Sequence, residues 1–241
     1  MKKIIQILVL SIGLIGCSSI DYSDLTSPVS PSDTQINRIL ALGLTHNENL
    51  VLARKISNSS VASTVINELE SRKLKADIEN INAEKAFNIA EMVIVSDNNF
   101  KFVGPQISKT KTRNMIGKPE NLDYFLLGLK DKNNGSIQYK LNFSITYTSE
   151  TKRSYSSASF CDKWQGCSND NLVDISVISS VASGCSSYAC DYTDVIELDL
   201  SDDFLRSNMK DGLSVSFNSK IANNKITFTP FYLEGFLSIA N

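Results

Sequence analysis

The sequence predicts an α+β protein: an N-terminal helical segment, then an antiparallel β-sandwich or curled meander sheet with two short-loop disulfides. Three observations carry this. Apolar residues recur at helical spacing from residue 33 to about 95, and past residue 97 the period drops to two. Four cysteines, Cys161, Cys167, Cys185 and Cys190, lie in polar loops of the second part.

The helical part opens at Ser32, which with Gln35 forms a Ser-x-x-Gln capping box ahead of Ile36, Ile39, Leu40 and Leu44. A second segment, from about Asn47 to Ile56, turns Leu50, Ala53 and Ile56 inward. A third, from Ser60, lines up Val61, Val65, Ile66 and Leu69. A fourth, from Asn82, sets Ala83, Phe87, Ala90 and Val93/Ile94 on one face. The stretch His46–Ser60 resembles one unit of a helical solenoid repeat, but no second copy follows at a fixed period.

In the β part, Ile137 to Tyr147 alternates apolar and polar residues without a break, the mark of a half-buried antiparallel strand. Asn134-Gly135 separates it from the apolar run Tyr124–Leu129 and predicts a hairpin. Further strands are expected at Val173-x-Ile175-x-Val177, Ile196–Leu200 and Leu213–Phe217, and at Ile226–Phe228 after a turn at Asn223-Asn224. Ser201-Asp202-Asp203-Phe204 reads as a helix cap, and Thr229-Pro230 starts a last short helix through Leu237.

The first residues place the chain. Met1-Lys2-Lys3 and the apolar run Ile4–Ile15 match a secretory signal, too short to span a bilayer permanently. Leu14-Ile15-Gly16-Cys17 resembles the lipobox of bacterial lipoproteins. That resemblance implies cleavage before Cys17, acyl chains on its sulfur and amine, and stable anchoring by two or three chains. Ser18 after the cysteine lacks the aspartate of inner-membrane retention, which implies the outer membrane, its periplasmic face before the cell surface. The domains expected are a signal over 1–16, a tether over 17–32, a helical region over 33–97 and a β domain over 98–241. Six serines and two prolines between Ser18 and Ser32 make the tether. As a coil of about 15 residues it reaches roughly 20 Å.

With Cys17 assigned to lipid, the other four cysteines are even in number, and an oxidising compartment makes disulfides the expectation. Of three connectivities, Cys161–Cys167 with Cys185–Cys190 is preferred because each pair brackets a short polar loop. Zinc is the competitor, but the spacings are poor and the single histidine, His46, is remote. The stretch Cys185-x4-Cys190-x-Tyr192-Thr193-Asp194, the strand through Leu200, a helix near Leu205 and Gly235-Phe236-Leu237 resemble uncharacterised bacterial envelope lipoproteins over about 60 residues. This implies a fold and no known activity.

Removing the signal with its two lysines takes the formal net charge from −2 to −4, which argues against a nucleic-acid binder. The charge is uneven. Lys101, Lys109, Lys111, Arg113 and Lys118 form a stretch without acids. Trp164 to Leu205 carries Asp170, Asp174, Asp191, Asp194, Glu197, Asp199, Asp202 and Asp203 and no base. The basic stretch meets either an anionic envelope component or the acidic strands of its own domain. Trp164 and Tyr188, each inside a cysteine-bracketed loop, are recognition candidates. Asp199, Asp202 and Asp203 invite a calcium reading, as does Asp131-Lys-Asn133-Asn134-Gly135. A helix N-terminus and a turn explain them better. One histidine, and no nucleophile, phosphate or dinucleotide motif, leave no catalytic residues, metal or cofactor to assign. The expectation is a lipid-anchored envelope protein of the periplasm or outer membrane, a non-catalytic binding or assembly subunit. Its partners are the membrane through Cys17 and an envelope protein or anionic polymer. The alternatives are an envelope-polymer hydrolase using paired carboxylates, or a surface-exposed interaction factor.

Overall fold

The computed structural model describes residues 32–96, 98, 100–112, 118–162 and 166–240, with backbone alone for 168–171. The chain divides into two compact units, one through Ile78 and one from Glu79 onward.

The first unit holds α1 (Ser32–Ala41), α2 (His46–Ala53) and the start of α3 (Ser59–Met92). Its core is Ile36, Ile39, Leu50, Leu52, Ala53, Ile56, Ala62, Val65 and Leu69. Leu40, predicted inward, is instead more than one-third exposed. The predicted Ser32–Gln35 capping box is not made: Gln35 is buried, and neither side-chain atom meets a partner among the described residues. The capping box lies one helix later. Thr45 Oγ1 accepts from the Glu48 amide, and Glu48 Oε2 accepts from the Thr45 amide at 2.9 Å.

The third and fourth predicted helices are one helix of 34 residues. Its middle has no continuous apolar stripe, so periodicity alone suggests a break. Pairs at i,i+4, Glu68–Arg72 at 2.7 Å and Lys73–Asp77, support the helix there. In its last turns the inward face is Ala86, Ile89 and Val93 rather than Ala83, Phe87 and Ala90, and Phe87 is 62% exposed. The cause is α5 (Pro230–Ile239): a Cβ on Gly235 would stand 2.3 Å from the Ala86 carbonyl, so glycine there lets this turn of α3 approach closely.

Among the described residues, the second unit holds eleven strands in two antiparallel sheets. The strands are β1 (Ile94–Val95), β2 (Lys101–Val103), β3 (Ile107–Lys111), β4 (Glu120–Lys130), β5 (Ile137–Ser149), β6 (Ser157–Asp162), β7 (Gly166–Val173), β8 (Ser176–Ser183), β9 (Cys190–Leu200), β10 (Leu213–Asn218) and β11 (Asn223–Phe228), with α4 (Asp202–Ser207) between β9 and β10. The larger sheet runs β1-β2-β4-β5-β9-β8, with β3 also on β4; the smaller runs β11-β10-β6-β7. This is not a simple meander, because β6 and β7 leave β5 for the second sheet before β8 and β9 return. The alternation Val173-Ile175-Val177 straddles that return, so the predicted single strand is the end of β7 and the start of β8. The two sheets share one core, with Phe143 stacked on Phe217 at 4.4 Å and Tyr124 edge-on to Phe228 at 5.1 Å.

The β4–β5 hairpin forms as expected, with Gly135 at φ +73° and its amide bonded to the Asp131 carbonyl. Ser201 caps α4 by accepting from Phe204, and Thr229 caps α5 with Pro230 in its first turn. No helix among the described residues is long and apolar enough to cross a membrane.

Candidate functional site

The connection from β5 to β6, residues 150–156, carries the densest polar chemistry of the β unit. Arg153 and Tyr155 point from it into the core, and between them Ser154 adopts φ +53°, a left-handed conformation costly for a residue with a Cβ. Arg153 is almost fully buried. Its Nη2 donates to Glu120 Oε1, and its Nη1 to Glu120 Oε2, Tyr155 Oη and Asn224 Oδ1, each at 3.3 Å. The Tyr155 hydroxyl donates to Asn224 Oδ1 at 2.6 Å. Glu120 opens β4 and Asn224 lies on β11, so the guanidinium joins the two sheets at one end.

The same arginine reaches a second acid through tyrosine. Its backbone N–H donates to Tyr147 Oη at 2.9 Å, and that hydroxyl donates to Asp194 Oδ2 at 2.8 Å. Ser180 Oγ donates to Asp194 Oδ1. The Arg153 guanidinium lies 4.0 Å over the Tyr147 ring. Burial pushes the Tyr147 hydroxyl up, with the Asp194 carboxylate adding to the shift. Burial alone would lower the Arg153 pKa, but hydrogen bonds to Glu120 and Tyr155 favour the charged form and raise it. Every oxygen of both carboxylates is thus engaged by a hydrogen-bond donor.

Over this network lies a cleft of about 490 Å³, lined by Thr110, Lys111, Thr112, Glu120, Arg153 and the Ala222–Asn224 turn. Lys111, predicted as a recognition residue, is thus at the cleft, opposite Glu120 in the β3–β4 register. Lys109, two residues away, places its ammonium 5.6 Å from the Tyr124 ring centroid. Lys118 instead pairs with Asp191 at 3.1 Å, and the Thr148 hydroxyl and Lys118 hold that carboxyl below its usual range. The basic stretch therefore meets the acidic strands of its own domain at Lys118, while Lys111 serves the cleft.

The two disulfides are Cys161–Cys167 and Cys185–Cys190. The second closes a loop in which Ser186 accepts from the amides of Tyr188 and Ala189, leaving Tyr188 83% exposed. Cys17, Arg113 and Trp164, with the signal and nearly all the tether, lie outside the described residues. Asp202 pairs with Arg206 at 2.7 Å, and Asp131 accepts from the Asn133 amide as a turn residue. No group of three potential metal ligands is assembled among the described residues. His46 begins α2, its Nε2 3.4 Å from Glu70 Oε2.

Sequence reasoning missed Glu120, Arg153, Tyr155 and Asn224. Arg153 and Tyr155 sit in the polar stretch 148–157, where no periodicity separates inward from outward residues, and their partners are 33 and 71 positions from Arg153. Compared with known protein families, curated proteins and solved structures, the chain matches none.

Proposed function

We propose that the protein is a lipid-anchored component of the bacterial envelope, held through Cys17 at the periplasmic face of the outer membrane. It acts there as a non-catalytic binding or assembly subunit. The observation that carries this reading is the Cys185–Cys190 loop. A five-residue-separated disulfide and the Ser186 hydrogen bonds fix the backbone, and Tyr188 stands out at its tip. A fixed aromatic of this kind binds at low cost in conformational entropy. The polar cleft with Lys111 on its rim is a second contact surface, suited to an anionic polymer. Both disulfides suit an oxidising compartment.

Two experiments test the reading. Cys17→Ser is expected to move the protein from the membrane fraction to the soluble envelope fraction, and continued membrane retention contradicts the anchor. A photo-crosslinking residue at position 188, in the anchored full chain in cells, is expected to capture one specific envelope component. Absence of any specific adduct contradicts the binding role.

A further inference from the structure

Helical spacing puts Ala83, Phe87 and Ala90 on one apolar face of α3, with Ile94 just past its end, and the structure leaves that face bare. Ala86, Ile89 and Val93 turn toward the core instead. Phe87 and Ile94 are 62% and 68% exposed, Ala83 is exposed and Ala90 half-buried. Ala83 also lines a hollow of about 550 Å³ with Met209, Pro230 and Phe231, so the bare face runs on into an apolar recess between α3 and α5. All these residues belong to the second unit.

Spacing and charge together point to the occupant. Residues 83, 87 and 90 stand at i, i+4 and i+7, the seam along which one helix receives another. Glu84 and Glu91, seven residues apart, flank that seam on one side and Glu79 flanks it on the other. Glu79 and Glu234 also line the hollow. All four acids are exposed, and none makes an ion pair among the described residues. Lys210 is in the hollow, and Lys101 lies two residues along β2 from Val103, the partner of Ile94. Lys85, two residues from Phe87 and so on nearly the opposite side of the helix, holds its ammonium 5.2 Å from the Phe231 ring centroid.

A second copy fits this face badly. In a parallel pairing Glu79 of one copy would face Glu84 of the other, and in an antiparallel pairing the Glu84–Glu91 sides would face each other. An anionic lipid surface meets the same repulsion. We propose that this face of α3 docks an amphipathic helix of a partner protein, apolar along its seam and carrying lysines or arginines beside it. The bases neutralise Glu79, Glu84 and Glu91, and one apolar side chain enters the hollow as an anchor. The site is separate from Tyr188 and from the cleft at Lys111, so it can fail without them.

An aromatic photo-crosslinker in place of Phe87, in the anchored full chain in cells, tests the proposal, with the attached peptide read by mass spectrometry. The expected adduct is one partner protein, joined within a segment of heptad-spaced apolar residues flanked by bases. Glu84→Lys with Glu91→Lys is expected to cut its yield about tenfold, while Tyr188→Ala leaves it unchanged. These sites are exposed, and near-ultraviolet circular dichroism checks that each variant is folded. No adduct at position 87, or an adduct to a second copy, to lipid or to a segment without bases, would overturn the proposal. So would a folded double variant that crosslinks like the parent. A specific adduct at position 188 with none at 87 would overturn this docking face alone and leave the binding role standing.

Discussion

Gln35 in the helical unit and Arg153 in the β unit are both almost fully buried, and their surroundings differ completely. The Gln35 amide has no hydrogen-bond partner among the described residues, and Asn49 of the next helix leaves its Oδ1 unpartnered there. Arg153 has Glu120, Tyr155 and Asn224 on its guanidinium and the Tyr147 ring beneath it. The cores differ in size as the units do, nine buried apolar residues against twenty-six among those described. A buried amide without a partner costs about 1–3 kcal/mol, whereas a saturated ion pair resists opening because either half alone would be stranded. The contrast teaches that the buried polar groups of the β unit are tied to one another, whereas two of the helical unit have atoms without a partner among the described residues. Tyr188 and the cleft at Lys111 both belong to the β unit.

The largest effect is expected from breaking the network. Arg153→Ala leaves Glu120 buried without its cation and is predicted to destabilise the β unit by about 3–5 kcal/mol in urea unfolding followed by near-ultraviolet circular dichroism. Replacing both partners, as Glu120→Leu with Arg153→Met, is predicted to cost clearly less than the single change. A double variant as damaged as the single one would mean that the network does more than satisfy itself.

Gln35→Leu sharpens the comparison from the other side. Removing an amide that has no partner among the described residues is predicted to stabilise the helical unit by about 1–2 kcal/mol, read as slower amide exchange in α1 and α2. Loss of stability would show that Gln35 has a partner.

High pH probes the β unit through its tyrosines. The Tyr139 hydroxyl is pushed up to about 12, first by burial and then by Asp202, and burial raises Tyr147, Tyr155 and Tyr232 as well. A phenol raised in the folded state contributes stability that is complete below its unfolded value near 10 and lost as pH rises through the folded value. Tyrosinate absorbance from these residues is therefore predicted to rise together with loss of β structure, between about pH 10 and 12 for Tyr139. Ionisation of all four with the sheets intact would contradict their burial.

The smallest effect belongs to the cap of α2. Thr45→Ala removes the hydroxyl half of the capping box and is predicted to cost about 1 kcal/mol in the helical unit. No change is expected in the β unit.

How much of this was legible in the sequence depended on distance along the chain. The Ile137–Tyr147 strand, the Asn134-Gly135 turn, the caps at Ser201 and Thr229 and the short-loop disulfides follow from residues within a few positions of one another. The phase of the last turns of α3 did not, because Gly235, nearly 150 residues beyond Ala86, decides which face turns inward. The Arg153 network was illegible for the same reason, with partners in β4 and β11.

Native-state hydrogen exchange on the full chain tests the contrast between the units most directly. Amides of α1, α2 and the first turns of α3 are predicted to exchange through a cheaper opening than those of β4, β5 and β9. Exchange of both sets at one common free energy would contradict it.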